Sequence, residues 1–112
     1  MTMRRPREEE LTQEVRELTD LLRNDASFAD LRTALGAKGL SAAETILAGL
    51  IVGEDESQYG VFVTANQECV RFESAPNGWL TRWELIDHPA ALTADFPAVS
   101  VGIAMKRGGD IA

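Results

Sequence analysis

The run from Tyr59 to Ile86 constrains this chain more than any other segment. Val61-Phe62-Val63 is followed by Asn66-Gln67, then by Cys69-Val70-Arg71-Phe72, then by Ala75-Pro76-Asn77-Gly78 and Trp79 to Ile86. Short β-branched and aromatic runs separated by turn residues read as strands joined by tight turns. Pro at the second and Gly at the fourth position of 75–78 suit a type I turn. The segment is a β-meander whose residues are spent on packing, as expected of a small binding or assembly module rather than an enzyme pocket.

On either side of it, apolar spacing places the other elements. Leu11, Val15, Leu18 and Leu22 form one helical stripe. Glu8, Glu9 and Glu10 lie at its N-terminal end and Arg23 near its C-terminal end, both favourable to the helix dipole. Two destinations are open to the stripe: the domain's own sheet, or a short coiled-coil seam with a second copy. Asn24-Asp25-Ala26 breaks this helix. Ser27 and Asp30 fit a capping box, and Phe28, Leu31 and Leu35 line a second helix that Gly36 or Gly39 ends.

Residues 41–52 carry conflicting signals. Ser41 with Glu44 fits a capping box, whereas Gly49 and the β-branched Ile46, Ile51 and Val52 favour a strand buried on both faces. The strand reading, 45–52, is preferred. In the meander, Val61 and Val63 share a face, Val70 and Phe72 point inward, and Cys69 and Arg71 point outward. Trp79, Thr81, Trp83 and Leu85 share a face of the next strand. Asp87 is expected to cap a short helical turn starting at Pro89. Val99, Val101, Ile103 and Met105 alternate with Ser100, Gly102, Ala104 and Lys106, which predicts a further strand.

These readings give an α+β fold: two N-terminal helices, 8–23 and 27–37, followed by a mainly antiparallel sheet of about five strands within 45–105. Residues 1–7 form a flexible arm and 107–112 a tail. The stripe and the Phe28/Leu31/Leu35 face are expected to cover one side of the sheet. With 112 residues, 45% of them hydrophobic, a single domain with a real core is expected.

Charge and composition exclude more than they assign. The formal net charge is −7. Residues 1–38 hold seven Lys/Arg against eight Asp/Glu, and residues 39–112 hold four against ten. Such a balance disfavours nucleic acid and anionic membrane as partners. A single cysteine, Cys69, forbids an intrachain disulfide and suits a reducing compartment. The charged start of the chain lacks the apolar segment of a secretory signal, so a cytoplasmic location is expected. Nine arginines against two lysines suggest a GC-rich bacterium or its phage.

No constellation of catalytic or ligating residues emerges. Cys69 and His88 are the only soft metal ligands, short of a structural zinc set. Mid-strand, Cys69 has no neighbour in sequence to activate its thiol. Glu54, Asp55 and Glu56 lack the alternate spacing of a calcium loop, and no phosphate-binding glycine motif occurs. No cofactor and no enzymatic activity are expected. The candidate interaction surface consists of Trp79, Trp83 and the acidic loop Glu54, Asp55 and Glu56; aromatic residues of this kind anchor interfaces when they are not core.

Three segments carry a family likeness: Glu44-Thr45-Ile46-Leu47-Ala48-Gly49, then Gly60-Val61-Phe62-Val63-Thr64-Ala65-Asn66, then Val70-Arg71-Phe72. Together they resemble the start of bacterial PH-like domains. The resemblance implies a curved antiparallel sheet closed by a helix and used for protein contacts or assembly, with the N-terminal helices here taking the place of that family's C-terminal helix. The function expected is a non-enzymatic interaction module, monomeric or homodimeric. The competing reading makes 41–52 a third helix before a β-hairpin, as in a winged helix-turn-helix DNA-binding regulator. Ala42, Ala43, Glu44, Thr45, Leu47, Ala48 and Gly49 would offer a DNA groove no basic or amide side chain.

Overall fold

The computed structural model describes residues 6–109. Three helices, α1 (Pro6–Asn24), α2 (Ala29–Ala37) and α3 (Val99–Gly108), surround four strands, β1 (Ile46–Val52), β2 (Gln58–Val63), β3 (Cys69–Ser74) and β4 (Leu80–Ile86). The sheet is antiparallel throughout, and its order β1-β2-β3-β4 is the order of the chain. The α+β class, the two N-terminal helices and the strand at the end of 41–52 agree with the sequence. The helix that a winged helix-turn-helix would need at 46–52 is β1. Of the expected arm, residues 6 and 7 are helical and 1–5 lie outside the described residues. Arg107 and Gly108 of the expected tail end α3, and 110–112 lie outside.

The fifth strand is absent, because 99–105 is helix α3. Its alternation of Val99, Val101, Ile103 and Met105 is real, but burial follows a different period. Phe96, Val99, Gly102 and Met105 are buried at three-residue intervals, while Val101 and Ile103 are only half-buried. Lys106 and Arg107 in the last turn and Gly109 in the left-handed conformation (φ +72°) complete a helical C-terminus. Gly102 brings the helix backbone onto β1: a Cβ at this position would lie 2.9 Å from that of Ala48.

The second correction concerns layers. Helices lie on both sides of the sheet, not one. Ile46, Ala48, Val61, Val63 and Cys69 pack against Leu92, Phe96, Val99 and Met105 on the α3 side. Leu47, Phe62, Val70 and Phe72 pack against Phe28, Leu31 and Leu35 on the α2 side. Both parities of β1–β3 are therefore buried, and Cys69, expected to point outward, is enclosed. Phe62 and Phe72 stack at the centre of the α2 layer, with ring centroids 4.3 Å apart and planes 13° from parallel.

Helix α1 belongs to neither layer alone. Val15 enters the α3-side core and Leu22 the α2-side core, with Leu11 and Leu18 half-buried beside them. The stripe is thus consumed within the chain, not in a coiled-coil seam. Between its two ends, Thr19 Oγ1 accepts a hydrogen bond from the backbone N–H of Leu47 at 3.1 Å, and both residues are buried. Arg23 donates to the carbonyls of Ala42 (3.0 Å) and Thr45 (3.3 Å). The helix therefore runs along the edge of β1; the Leu47 N–H belongs to that strand, and the Ala42 and Thr45 carbonyls lie just before it. From α2, Arg32 Nη1 donates to the carbonyls of Leu22 (2.8 Å) and Asp25 (2.7 Å) at the α1 C-terminus, where a cation is favoured.

The Thr19 contact makes a testable statement. Thr19→Val keeps the shape but leaves a buried N–H without an acceptor, a loss of about 1–3 kcal/mol. Thr19→Ser keeps the oxygen and is expected to lose markedly less. Urea unfolding of the two variants separates the hydrogen bond from the methyl group.

Caps differ in detail from the expected ones. Asp25, not Ser27, caps the 3-10 turn Ala26–Phe28. Ser41 Oγ accepts from Ala43 N–H at the start of a 3-10 turn, Ala42–Glu44, rather than a longer helix. His88, not Asp87, precedes the turn Pro89–Leu92, without a side-chain cap bond.

Candidate functional site

The meander puts the β1–β2 and β3–β4 turns at the same end of the sheet, and the start of α2 reaches that end. In the β3–β4 turn, Gly78 N–H donates to the Ala75 carbonyl (2.9 Å), Ala75 N–H to the Trp79 carbonyl (2.8 Å), and Trp79 N–H to Asn77 Oδ1 (3.1 Å). Gly78 is needed twice. Its φ is +88°, and a Cβ would fall 2.5 Å from that of Asp30. The turn is thus seated directly on α2.

This seat leaves a groove of about 350 Å³ between helix and turn. Ala34, Ala37 and Leu80 supply its apolar lining, with Trp79 on the turn side and Asp30 and Lys38 among its polar lining. Trp79 is 73% exposed, the most exposed of the large hydrophobic residues described. A side chain of that size left in water beside an apolar groove is apolar surface that a partner could cover.

Trp83 does not join it. The expected shared face of Trp79, Thr81, Trp83 and Leu85 is broken for two reasons. Trp79 precedes the strand, and a bulge places Leu80 opposite Ser74 and Arg82 opposite Glu73, leaving Thr81 unpaired. Trp83 is half-buried against the α2-side core, 6.0 Å from the Phe62 ring centroid. Lys38 Nζ lies 5.4 Å over its ring, a cation–π contact. Trp83 is a core-edge residue, and Trp79 is the exposed one of the two.

The acidic loop is a tight turn. Asp55 accepts hydrogen bonds from Ser57 N–H and Ser57 Oγ, each at 3.0 Å, and these hold its carboxyl below the usual carboxylate range. Glu56 adopts a positive φ of 68°. It lines a small crevice with Asp30, Pro76 and Gly78, so the acidic turn adjoins the groove. Glu54, Asp55 and Glu56 are exposed. Among the described residues, no three His, Cys, Asp or Glu side chains are grouped to hold a metal ion.

Cys69 lies in the α3-side core, where burial pushes its thiol pKa up, opposed by the charge of Arg107. That is the reverse of what a nucleophilic thiolate requires. His88 is exposed. Among the described residues, no helix is long and apolar enough to cross a membrane.

Sequence reasoning missed the helical half of the groove. Ala34, Ala37 and Lys38 sit beside the inward face of Leu31 and Leu35, and small residues there read as an ordinary solvated helix flank. The available signal was the pair of alanines, which leaves room where longer polar side chains would fill the gap. No family model matches this chain, and no curated protein or solved structure matches it significantly.

Proposed function

We propose that this protein is a non-enzymatic protein-interaction module whose docking surface is the groove between α2 and the β3–β4 turn. One observation carries the reading: Trp79, 73% exposed, stands beside an apolar groove lined by Ala34, Ala37 and Leu80. The occupant is a peptide segment with an apolar side chain flanked by Lys or Arg. Asp30 lines the groove, Glu56 lines the adjoining crevice, and Glu54 and Asp55 share the same turn. Exposed carboxylates steer a cationic partner and repel anionic ones. Duplex DNA is therefore not the ligand. The resemblance to bacterial PH-like domains points in the same direction, toward protein contacts or assembly. A buried lone cysteine and the residue bias fit the cytoplasm of a GC-rich bacterium or its phage.

Selection of displayed random peptides on the intact protein, followed by binding of the enriched peptides to Trp79→Ala, tests this. Enriched peptides are expected to pair an apolar residue with Lys or Arg. Trp79→Ala is expected to weaken their binding about thirtyfold or more, as for an interface hot spot. Peptides that bind the variant equally well, acidic peptides, or a salt-sensitive shift with mixed duplex DNA at ~50 mM salt would overturn the reading.

A further inference from the structure

The two edges of the sheet are treated differently. α1 covers the edge of β1, but β4 ends the sheet with only β3 paired to it. Among the described residues, no hydrogen bond leaves the β4 backbone for any element other than β3. Edge strands are commonly blunted by charged side chains, proline, a bulge or an overlying segment. Beyond the bulge at Thr81, residues 82–86 contain no proline, and their two charges, Arg82 and Glu84, are of opposite sign and so complementary to a copy of the same strand. Arg82 and Glu84 lie on one side of this strand, Trp83 and Leu85 on the other. Leu85 is 57% exposed and Trp83 is half-buried.

We propose that β4 pairs with β4 of a second copy of this chain, antiparallel about a two-fold axis at Trp83. The pattern of charge selects this register. A two-fold perpendicular to the sheet sets a central residue against its own counterpart and pairs the residues on either side of it crosswise. A centre at Arg82 opposes two arginines, and a centre at Glu84 opposes two glutamates. A centre at Trp83 sets each Arg82 against Glu84 of the second copy, twice, and brings the two Trp83 side chains together. Opposite charges directly across a strand pair are favourable and like charges are not. Within one chain Arg82 pairs with Glu73 at 3.1 Å and Glu84 at 3.0 Å, so the crossed pairing exchanges its own Glu84 for Glu84 of the second copy. Leu85 gains cover from Thr81 of the second copy. The other candidate seam, the α1 stripe, is consumed within the chain. This interface does not rest on the groove, and either can fail without the other.

Sedimentation velocity of the full chain is expected to show a monomer–dimer equilibrium built on the 12.2 kDa protomer. Arg82→Glu, which faces glutamate with glutamate, should weaken it at least about tenfold. A register test avoids the charges. In a Cys69→Ser background, Arg82→Cys and Glu84→Cys proteins are mixed and oxidised. An intermolecular disulfide is expected in the mixture and little in either protein alone, because position 82 faces 84 and not itself. A wild type monomeric up to about 1 mM, far weaker than a standard interface, overturns the proposal. So does a dimer that crosslinks as readily within one cysteine variant as in the mixture. Should circular dichroism show Arg82→Glu unfolded, the cysteine mixture decides the matter alone.

Discussion

Phe62→Ala is expected to lower the unfolding free energy by about 3–5 kcal/mol, the range for removing a buried aromatic ring. Phe62 is fully buried in the second strand, stacked on Phe72 and in contact range of the Trp83 ring. It is held between α2 and the sheet, so truncation opens a cavity bounded by regular elements that close up poorly. A small domain has a total stability of about 5–15 kcal/mol. The variant should therefore be partly unfolded at 37 °C, with loss of the cooperative urea transition as the measurement. Phe62→Leu, which keeps most of the volume, is expected to lose far less.

The second large effect is expected from adding one carbon. A Cβ at Gly60 would lie 2.5 Å from the Gly49 carbonyl oxygen and 2.7 Å from Phe72 Cε1. The first of these is backbone in the paired strand β1, so rotation of a side chain cannot relieve it. Gly60→Ala must push β1 from β2 or displace the stacked ring, and is expected to destabilise by about 3 kcal/mol. Gly36→Ala is the matched opposite. Nothing lies within 4 Å of a Cβ there, and the residue is in α2. This substitution is expected to stabilise by about 0.5–1 kcal/mol through helix propensity. Thermal unfolding of the two variants side by side gives opposite signs for the same chemical change.

The meander was legible in the sequence because its turns and strands speak with one voice. Pro76 and Gly78 mark one turn, Asn66 and Gln67 another, and alternating apolar residues such as Val61, Val63, Val70 and Phe72 mark the strands beside them. The C-terminal segment misled for an equally physical reason. In ten residues rich in valine, isoleucine and alanine, a period of two and a period near three both find matches, and only the core decides between them. The faces Phe96, Val99, Gly102 and Met105 present to β1 make the helix. Glycine at 102, a poor helix former, is there because β1 is too close for anything larger. The separation of Trp79 from Trp83 was not legible, because the bulge at Thr81 is a property of the pairing with β3 and leaves no mark in β4 alone. The groove was hidden for a similar reason: it forms where Gly78 is seated on Asp30, 48 positions earlier in the chain.

The helix laid along β1 decides how far growth by strand addition can go. A sheet with two bare edges recruits copies without limit, and the product is a fibril. Here Thr19 occupies the Leu47 N–H of β1 and Arg23 the Ala42 and Thr45 carbonyls just before it, so α1 lies across the approach to that margin. On the proposed pairing, a dimer joined through β4 would carry α1 at both outer margins. The α1 helix would then act as a chain terminator for polymerisation, and its removal, rather than any change in β4, would turn a finite assembly into an open-ended one.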